Sequence, residues 1–217
     1  MSKKEIAKRY ILFIISLFFI ALGVAFSKRA ELGVSPISAV ANVISCKFTE
    51  ISFGTWLFIS NCVMILGQVL LLRRNFQLVQ LLQLPLSLIF GYFTDFGMWC
   101  AGMFANDTYV LKMILVFVGI LVLGFGIALS VIANVILNSG EAFVKALADV
   151  SKKDFANVKI VFDVCWVSFA AILSLILFNG QLEGVREGTI ISAVCVGIVV
   201  KLFRPILHAP LTKLLTR

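Results

Sequence analysis

The sequence predicts an all-α membrane protein with six transmembrane helices, two half-length helices and an inverted 3+3 repeat. Long apolar runs dominate the chain, and its two halves share one pattern of spans and short segments. Of the 217 residues, 61% are hydrophobic and 14% are charged, with a mean hydropathy of +1.06. Soluble domains are nearer half apolar and a quarter charged. We therefore expect one membrane domain over residues 1–217, with residues 1–104 as the first repeat and 105–217 as the inverted second.

Six apolar runs are long enough to cross a bilayer, because about 20 helical residues cover the hydrocarbon core of ~30 Å. The first run is longer than the apolar region of a signal peptide, and no clear cleavage site follows it. We therefore expect an uncleaved first span. The predicted spans are residues 10–27, 55–72, 79–103, 109–132, 158–178 and 188–207.

The basic residues predict the orientation of these spans. Basic residues that flank spans favour the cytoplasm. With the N-terminus in the cytoplasm, six spans return the C-terminus to the same side, and the basic residues on the outer side are Lys28, Arg29, Lys47, Lys112 and Arg186. The net charge of +8 is then explained by contact between basic residues and anionic lipid head groups at the inner face. We expect a lipid bilayer as partner and no nucleic acid.

Two segments between spans are too short to cross the membrane. The first begins near Ser35, a favourable N-cap, followed by Pro36 at the first helical position. The second begins at Asn138, with Glu141 three residues later at the spacing of a capping box. Each segment is predicted either to re-enter the membrane or to lie flat at its surface. If they insert, their free N–H groups and positive dipole ends favour an anionic or hydrogen-bond-accepting group.

The repeat is visible as matching sequence blocks. Ser52-Phe53-Gly54-Thr55 precedes one span and Asp154-Phe155-Ala156-Asn157 precedes another, with Asn61 and Asp163 nine residues after the first residue of each block. Because each half holds three spans, the second half must be inverted relative to the first. Matched, interrupted segments in two such halves point to a transporter-like binding site.

Two polar residues are predicted to lie near the membrane midplane. A charge at that depth costs roughly 2.5–3.5 kcal/mol on insertion scales, so Asp163 is hard to explain by packing alone. We interpret Asp163 as a site for a proton, a cation or a substrate, and expect it close to Asn61. For Asn61 itself, hydrogen bonding between helices is the favoured interpretation.

The third span adds two further candidates. Asp95 lies about two turns from its outer end, where it either joins the site or reaches the interface. Gln83 lies near its inner end, just ahead of Pro85, which is predicted to kink the helix.

No motif for catalysis, nucleotide binding or metal binding is present, so we expect no enzyme activity, no cofactor and no metal site. The five cysteines follow no disulfide spacing and are interpreted as small apolar residues.

Several segments carry a family resemblance. They are the run from Leu32 to Ser38, Gly54-Thr55-Trp56 with Gln68, the run from Gln83 to Asp95, and the run from Gly188 to Ala193. Together they resemble the bacterial YczE/YitT-like integral membrane family over nearly the whole chain. The resemblance implies a multi-span protein of the bacterial inner membrane and little about chemistry.

We therefore expect a secondary transporter of a small solute, with a site between two inverted repeats and coupling to a proton or cation. The candidate binding residues are Asp163, Asn61, Asp95, Ser35, Asn138, Glu141 and Gln83. A passive channel and a non-transporting scaffold or accessory protein remain as alternatives. The sequence does not specify the solute or the oligomeric state.

Overall fold

The computed structural model describes residues 3–216, and of Thr216 only the backbone. These residues form helices, turns and loops without a β-strand. The helices are α1 (Lys3–Arg29), α2 (Ala39–Lys47), α3 (Phe53–Leu72), α4 (Gln83–Ala101), α5 (Tyr109–Ala133), α6 (Ser139–Ser151), α7 (Phe155–Leu177) and α8 (Glu187–Thr216).

Six of these helices are long and apolar enough to cross a membrane, which confirms the six predicted spans. They are α1, α3, α4, α5, α7 and α8. Helix α2 and helix α6 are the two half-length helices. We call the end of the bundle at which α1 begins the amino end, and the opposite end the far end.

The centre of the bundle is the antiparallel pair α1 and α5, which approach each other closely at glycines. A Cβ atom on Gly23 would collide with the backbone nitrogen of Leu123, and one on Gly126 would lie 2.7 Å from the backbone nitrogen of Ile20. Small residues allow such backbone contact between membrane helices. Gly126 follows Gly23 by the same number of residues as Leu123 follows Ile20, so the two contacts join matching positions of the chain.

Helices α4 and α8 flank this central pair. Helix α4 runs parallel to α1, with Gly97 against Ala25, and α8 runs parallel to α5, with Gly124 against Val199. The flanks differ beyond this point. Helix α3 packs along α4, whereas α7 and α8 share little packing within the described chain.

The half-length helices lie between α3 and α7. Helix α2, preceded by a single 3-10 turn at Pro36–Ser38, packs on both α7 and α3, and helix α6 does the same. Helix α2 buries one apolar face with Ala39, Val40 and Val43 against Ala170 of α7. The two short helices and the two long ones therefore form a second group beside the α1–α5 core.

Pro85, which was expected to kink its helix, lies near the start of α4. Helix α4 begins at Gln83, after a 3-10 turn at Leu78–Leu82, so Pro85 lies in its first turn. The missing N–H of a proline needs no partner there. Within the described chain, the prolines inside a helix are Pro205 and Pro210 of α8.

Candidate functional site

The first turns of the two half-length segments meet inside the protein. A Cβ atom on Gly140, at the start of α6, would lie 2.7 Å from Cγ2 of Ile37, which follows Pro36 in the turn before α2. Pro36 and Ser38 are buried on one side of this contact, and Ser139 and Gly140 on the other. Two helix N-terminal regions therefore face each other away from the surface of the bundle.

A fully bonded polar network surrounds the start of α6. Gln68 of α3 and Gln83 of α4 exchange two side-chain amide hydrogen bonds, both 3.1 Å long. Gln68 Nε2 also donates to the carbonyl oxygen of Ser139 at 3.1 Å, and the hydroxyls of Ser87 and Ser139 lie 2.9 Å apart. All four side chains are at most 2% exposed. Buried amides need such partners, because each unpaired polar atom costs about 1–3 kcal/mol.

A small cavity adjoins this network. Its polar lining is Gln83, Ser87, Asn138 and Ser139, and Phe13 and Leu17 of α1 are among its apolar walls. Its volume of about 10 Å³ is close to that needed by one water molecule. The start of α6 therefore combines free N–H groups, hydroxyls and a polar void.

The start of α2 has a different environment. Ser35 occupies the predicted N-cap position, just ahead of Pro36, but its side chain makes no capping bond. Its Oγ donates instead to Ser38 Oγ at 3.2 Å. The reason is local, since a short 3-10 turn precedes α2 and the N–H of Ser38 bonds back to the Ser35 carbonyl. Trp166 of α7 also fixes this turn by donating from Nε1 to the Ile37 carbonyl at 3.2 Å.

Two buried hydroxyls lie on the part of α8 that faces this turn. Thr189 and Ser192 are each 1% exposed, and neither Oγ atom has a hydrogen-bond partner within residues 3–216. Thr189 Oγ1 lies against Gly33, just before Ser35. The start of α2 thus carries unsatisfied hydroxyls where the start of α6 carries a complete network.

The predicted capping box at Asn138 forms only in part. Asn138 Oδ1 accepts from the backbone N–H of the next residue, Ser139, at 2.9 Å. The Glu141 carboxylate makes no bond back to Asn138, so the box prediction is wrong. Glu141 instead lies close enough to Lys159 and Asp163 of α7 to interact electrostatically with both.

Asp163 forms an ion pair on its own helix. Lys159 lies one turn earlier, and its Nζ is 2.7 Å and 2.5 Å from the two carboxylate oxygens of Asp163. The side chains are 27% and 21% exposed, respectively. This pairing supplies the compensation that a charge in a membrane helix needs. With Glu141, it makes a group of two carboxylates and one ammonium between α6 and α7.

Asn61 is buried, at 6% exposure, and its Nδ2 has no hydrogen-bond partner in the described chain. No hydrogen bond joins Asn61 to Asp163 within the described chain, so their expected closeness stays a prediction. Asp95 lies elsewhere again, at the far end. Its Oδ2 accepts from Ser52 Oγ at 2.6 Å and its Oδ1 from the Gly54 backbone N–H at 2.8 Å. Asp95 therefore joins α4 to the start of α3.

Sequence reasoning missed several members of these groups. Lys159 has the four-residue spacing to Asp163 that identifies an ion pair on a helix. Gln68 and Ser87 had no such signal, because their bonds join residues of different helices. The part of the chain that the structure describes contains no group of three or more histidine, cysteine, aspartate or glutamate side chains able to hold a metal ion.

The fold defines a multi-pass, all-helical membrane protein with two half-length helices whose N-terminal turns meet in its interior. The chain belongs to a family described as a family of unknown function, DUF6198, which matches residues 7–205. Comparison with curated proteins and with solved structures finds no match.

Proposed function

We propose that this protein is a secondary transporter of a small solute, with its binding site where the two half-length segments begin. The observation that carries the proposal is the contact between Ile37 and Gly140. Helix N-termini inside a membrane protein favour anionic or hydrogen-bond-accepting groups of a solute. Irregular backbone at membrane depth is tolerated where it is buried in protein or lines a cavity.

An inverted repeat, residues 1–104 and 105–217, is the second part of the proposal. It is supported by equivalent contacts at equal separations along the chain. Gly23 meets Leu123 as Gly126 meets Ile20, and Ile37 and Gly140, which are equivalent to each other, meet directly. A two-fold axis in the membrane plane would pass through this last contact. Such an axis is the usual place of the binding site in transporters built from inverted repeats.

The proposed location is the bacterial inner membrane, with both termini in the cytoplasm. The resemblance to the YczE/YitT-like family supports the membrane, and the distribution of basic residues supports the orientation. The amino end of the bundle is then cytoplasmic. Impermeant thiol reagents test this, because cysteines placed at Asp107 and Gly184 should react only from outside the cell.

Proton or cation coupling is assigned to the group formed by Glu141, Lys159 and Asp163. Lys159 pairs with Asp163, and the Glu141 carboxyl beside this pair is left as a group that can take up a proton or a cation. Ionisable groups within membrane helices commonly mark ion pathways. The group lies between α6 and α7, next to the helix whose first turn borders the proposed solute site.

The access of water to the site distinguishes a transporter from a channel and from a scaffold protein. In a variant without native cysteines, Ser87→Cys beside the cavity should react with a small water-soluble thiol reagent from one side of the membrane at a time. Ile198→Cys, 62% exposed on the apolar surface of α8, is the control and should stay unlabelled. Simultaneous access from both sides would indicate a channel. Absence of labelling from either side would indicate a scaffold whose polar groups only hold the helices together.

A further inference from the structure

Helices α3 and α4 are held together at the far end of the bundle. Asp95 bonds both Ser52 Oγ and the Gly54 N–H, and a Cβ on Gly91 would lie 2.8 Å from the Gly54 carbonyl oxygen. Bonds between a carboxylate and such donors are among the stronger hydrogen bonds in proteins. We call this contact the Asp95 lock.

The equivalent positions of the second half are apart. Asp154 corresponds to Ser52 and Lys201 to Asp95. Among the described residues, however, the Asp154 side chain accepts only from the backbone N–H groups of Ala156 and Asn157 in its own helix. Lys201 is exposed and has no ion pair within residues 3–216. Gly197 corresponds to Gly91, and a Cβ there would meet no atom within 4 Å. The amino-end portions of α7 and α8 are therefore separated.

The other ends of both helix pairs are joined. At the amino end, Gln68 and Gln83 connect α3 to α4. At the far end, Ser174 of α7 bonds the backbone of Glu183 in the loop before α8, with distances of 2.8 Å and 2.7 Å. Within the described residues, the bonds that connect α7 to the chain leading into α8 therefore lie at the far end.

We propose that α7 and α8 form a gate that closes when Lys201 reaches Asp154, and that this gate alternates with the Asp95 lock. The inference rests on the proposed transport function and its inverted repeat. Exchanging the conformations of the two halves would release Asp95 from α3 and bring α8 onto α7. The structure then corresponds to the state open to the cytoplasm. The closed gate gains an ion pair between Lys201 and the carboxylate that already caps α7.

Cross-linking tests whether the gate closes. Ile160 and Gly197 correspond to Phe58 and Gly91, and a Cβ on Gly91 would lie 3.6 Å from the Phe58 Cβ, within the range for a disulfide. In the full chain without native cysteines, I160C/G197C should form a disulfide within one molecule during mild oxidation. V161C/G197C is the matched control and should not, because adjacent helical positions point about 100° apart. Failure of I160C/G197C to cross-link, or cross-linking only between two molecules, would overturn the gate.

Lock variants test the alternation. D95A should accelerate I160C/G197C cross-linking about tenfold, as expected from losing bonds to a charged group, and S52A should accelerate it less. K201Q should slow it about threefold, whereas K201R should leave it unchanged because the pair with Asp154 is kept. Equal rates in all four variants would overturn the alternation. These cross-linking rates can be measured without a solute. If the rates change as expected but Ser87→Cys is not labelled from either side, the gate stands and the transport proposal is refuted.

Discussion

Ile37 packs directly against Gly140, so the first turn before α2 touches the first turn of α6 in the interior of the protein. The two residues are far apart in sequence and belong to segments that enter from opposite ends of the bundle. Their contact leaves no room for a side chain at residue 140. The geometry of the proposed site therefore depends on a glycine at that position.

Gly140→Ala should destabilise the protein by about 1–3 kcal/mol, as overpacking in a close-packed interior does. The added Cβ would lie 2.7 Å from Ile37 Cγ2, and Ile37 is held because Trp166 bonds its carbonyl. Thermal unfolding in detergent measures the change. Gly197→Ala is the control, and it should be neutral or slightly stabilising because that position is open and helical. Equal effects of the two substitutions would contradict the close contact.

Gln68→Leu tests the polar network and should lower the stability of the protein by about 1–3 kcal/mol. The substitution leaves the Gln83 side chain and the Ser139 carbonyl without their partner inside the protein. Q68L/Q83L should be less destabilised than the sum of the two single variants, because it removes both members of the amide pair. Additive effects in unfolding measurements would show that the two glutamines do not interact.

Some features of this architecture have a clear signal in the sequence and others do not. The six spans rest on apolar runs, and the two short helices rest on their length and flanking residues, so both were predictable. The Ser35 cap and the Asn138–Glu141 box were inferred from local patterns that tolerate several outcomes. The actual bonds depend on a 3-10 turn before α2 and on the placement of Glu141 beside Lys159 and Asp163 of α7, which no local pattern specifies.

The site itself was predicted only as single residues. Asp163 was identified from its predicted depth in the membrane. Its four-residue spacing from Lys159 is typical of the ion pair that the structure shows. The Gln68–Gln83–Ser139 network joins three helices, so its pairing required knowledge of their packing. Asp95 was left between two roles, and its bonds to the start of α3 could be found only once α3 and α4 were placed side by side.

Glu31 provides a test through pH. The hydrogen bond from Lys112, 2.6 Å long, holds the pKa of the Glu31 carboxyl below its ordinary value. A carboxyl with a lowered pKa in the folded state stabilises the protein above its unfolded pKa of about 4.3, and this is lost as the pH falls through the folded value. Glu31→Gln should therefore lower stability at neutral pH by less than about 1 kcal/mol, since the pair is exposed.

The difference between the wild-type protein and Glu31→Gln should disappear at acidic pH, where the wild-type carboxyl is also neutral. Unfolding measured across the acidic range gives the comparison. Glu50→Gln is the control, because Glu50 is exposed and has no ion pair within the described residues. A Glu31→Gln deficit that persists at low pH would mean that the side chain acts through packing and not through its charge.

Asp163→Asn should destabilise the protein by about 1–3 kcal/mol, because Lys159 would keep its charge in a partly buried site without its carboxylate partner. The double variant K159Q/D163N removes both charges and should recover most of that loss. Unfolding in detergent separates the two variants. If Asp163→Asn and the double variant are equally stable, the ion pair contributes nothing that a neutral amide cannot replace.

The same double variant tests the proposed coupling without a known solute. Spin labels at residues 160 and 197 report the separation of α7 and α8 in liposomes. If a proton on the Glu141–Lys159–Asp163 group drives the gate, the wild-type distance distribution should change between neutral and acidic pH. In K159Q/D163N the response should be reduced, because the variant loses both the Asp163 carboxylate and the Lys159 ammonium and leaves only the Glu141 carboxyl to titrate. An unchanged pH response in the double variant would remove Lys159 and Asp163 from the coupling mechanism and leave them as an ion pair within α7.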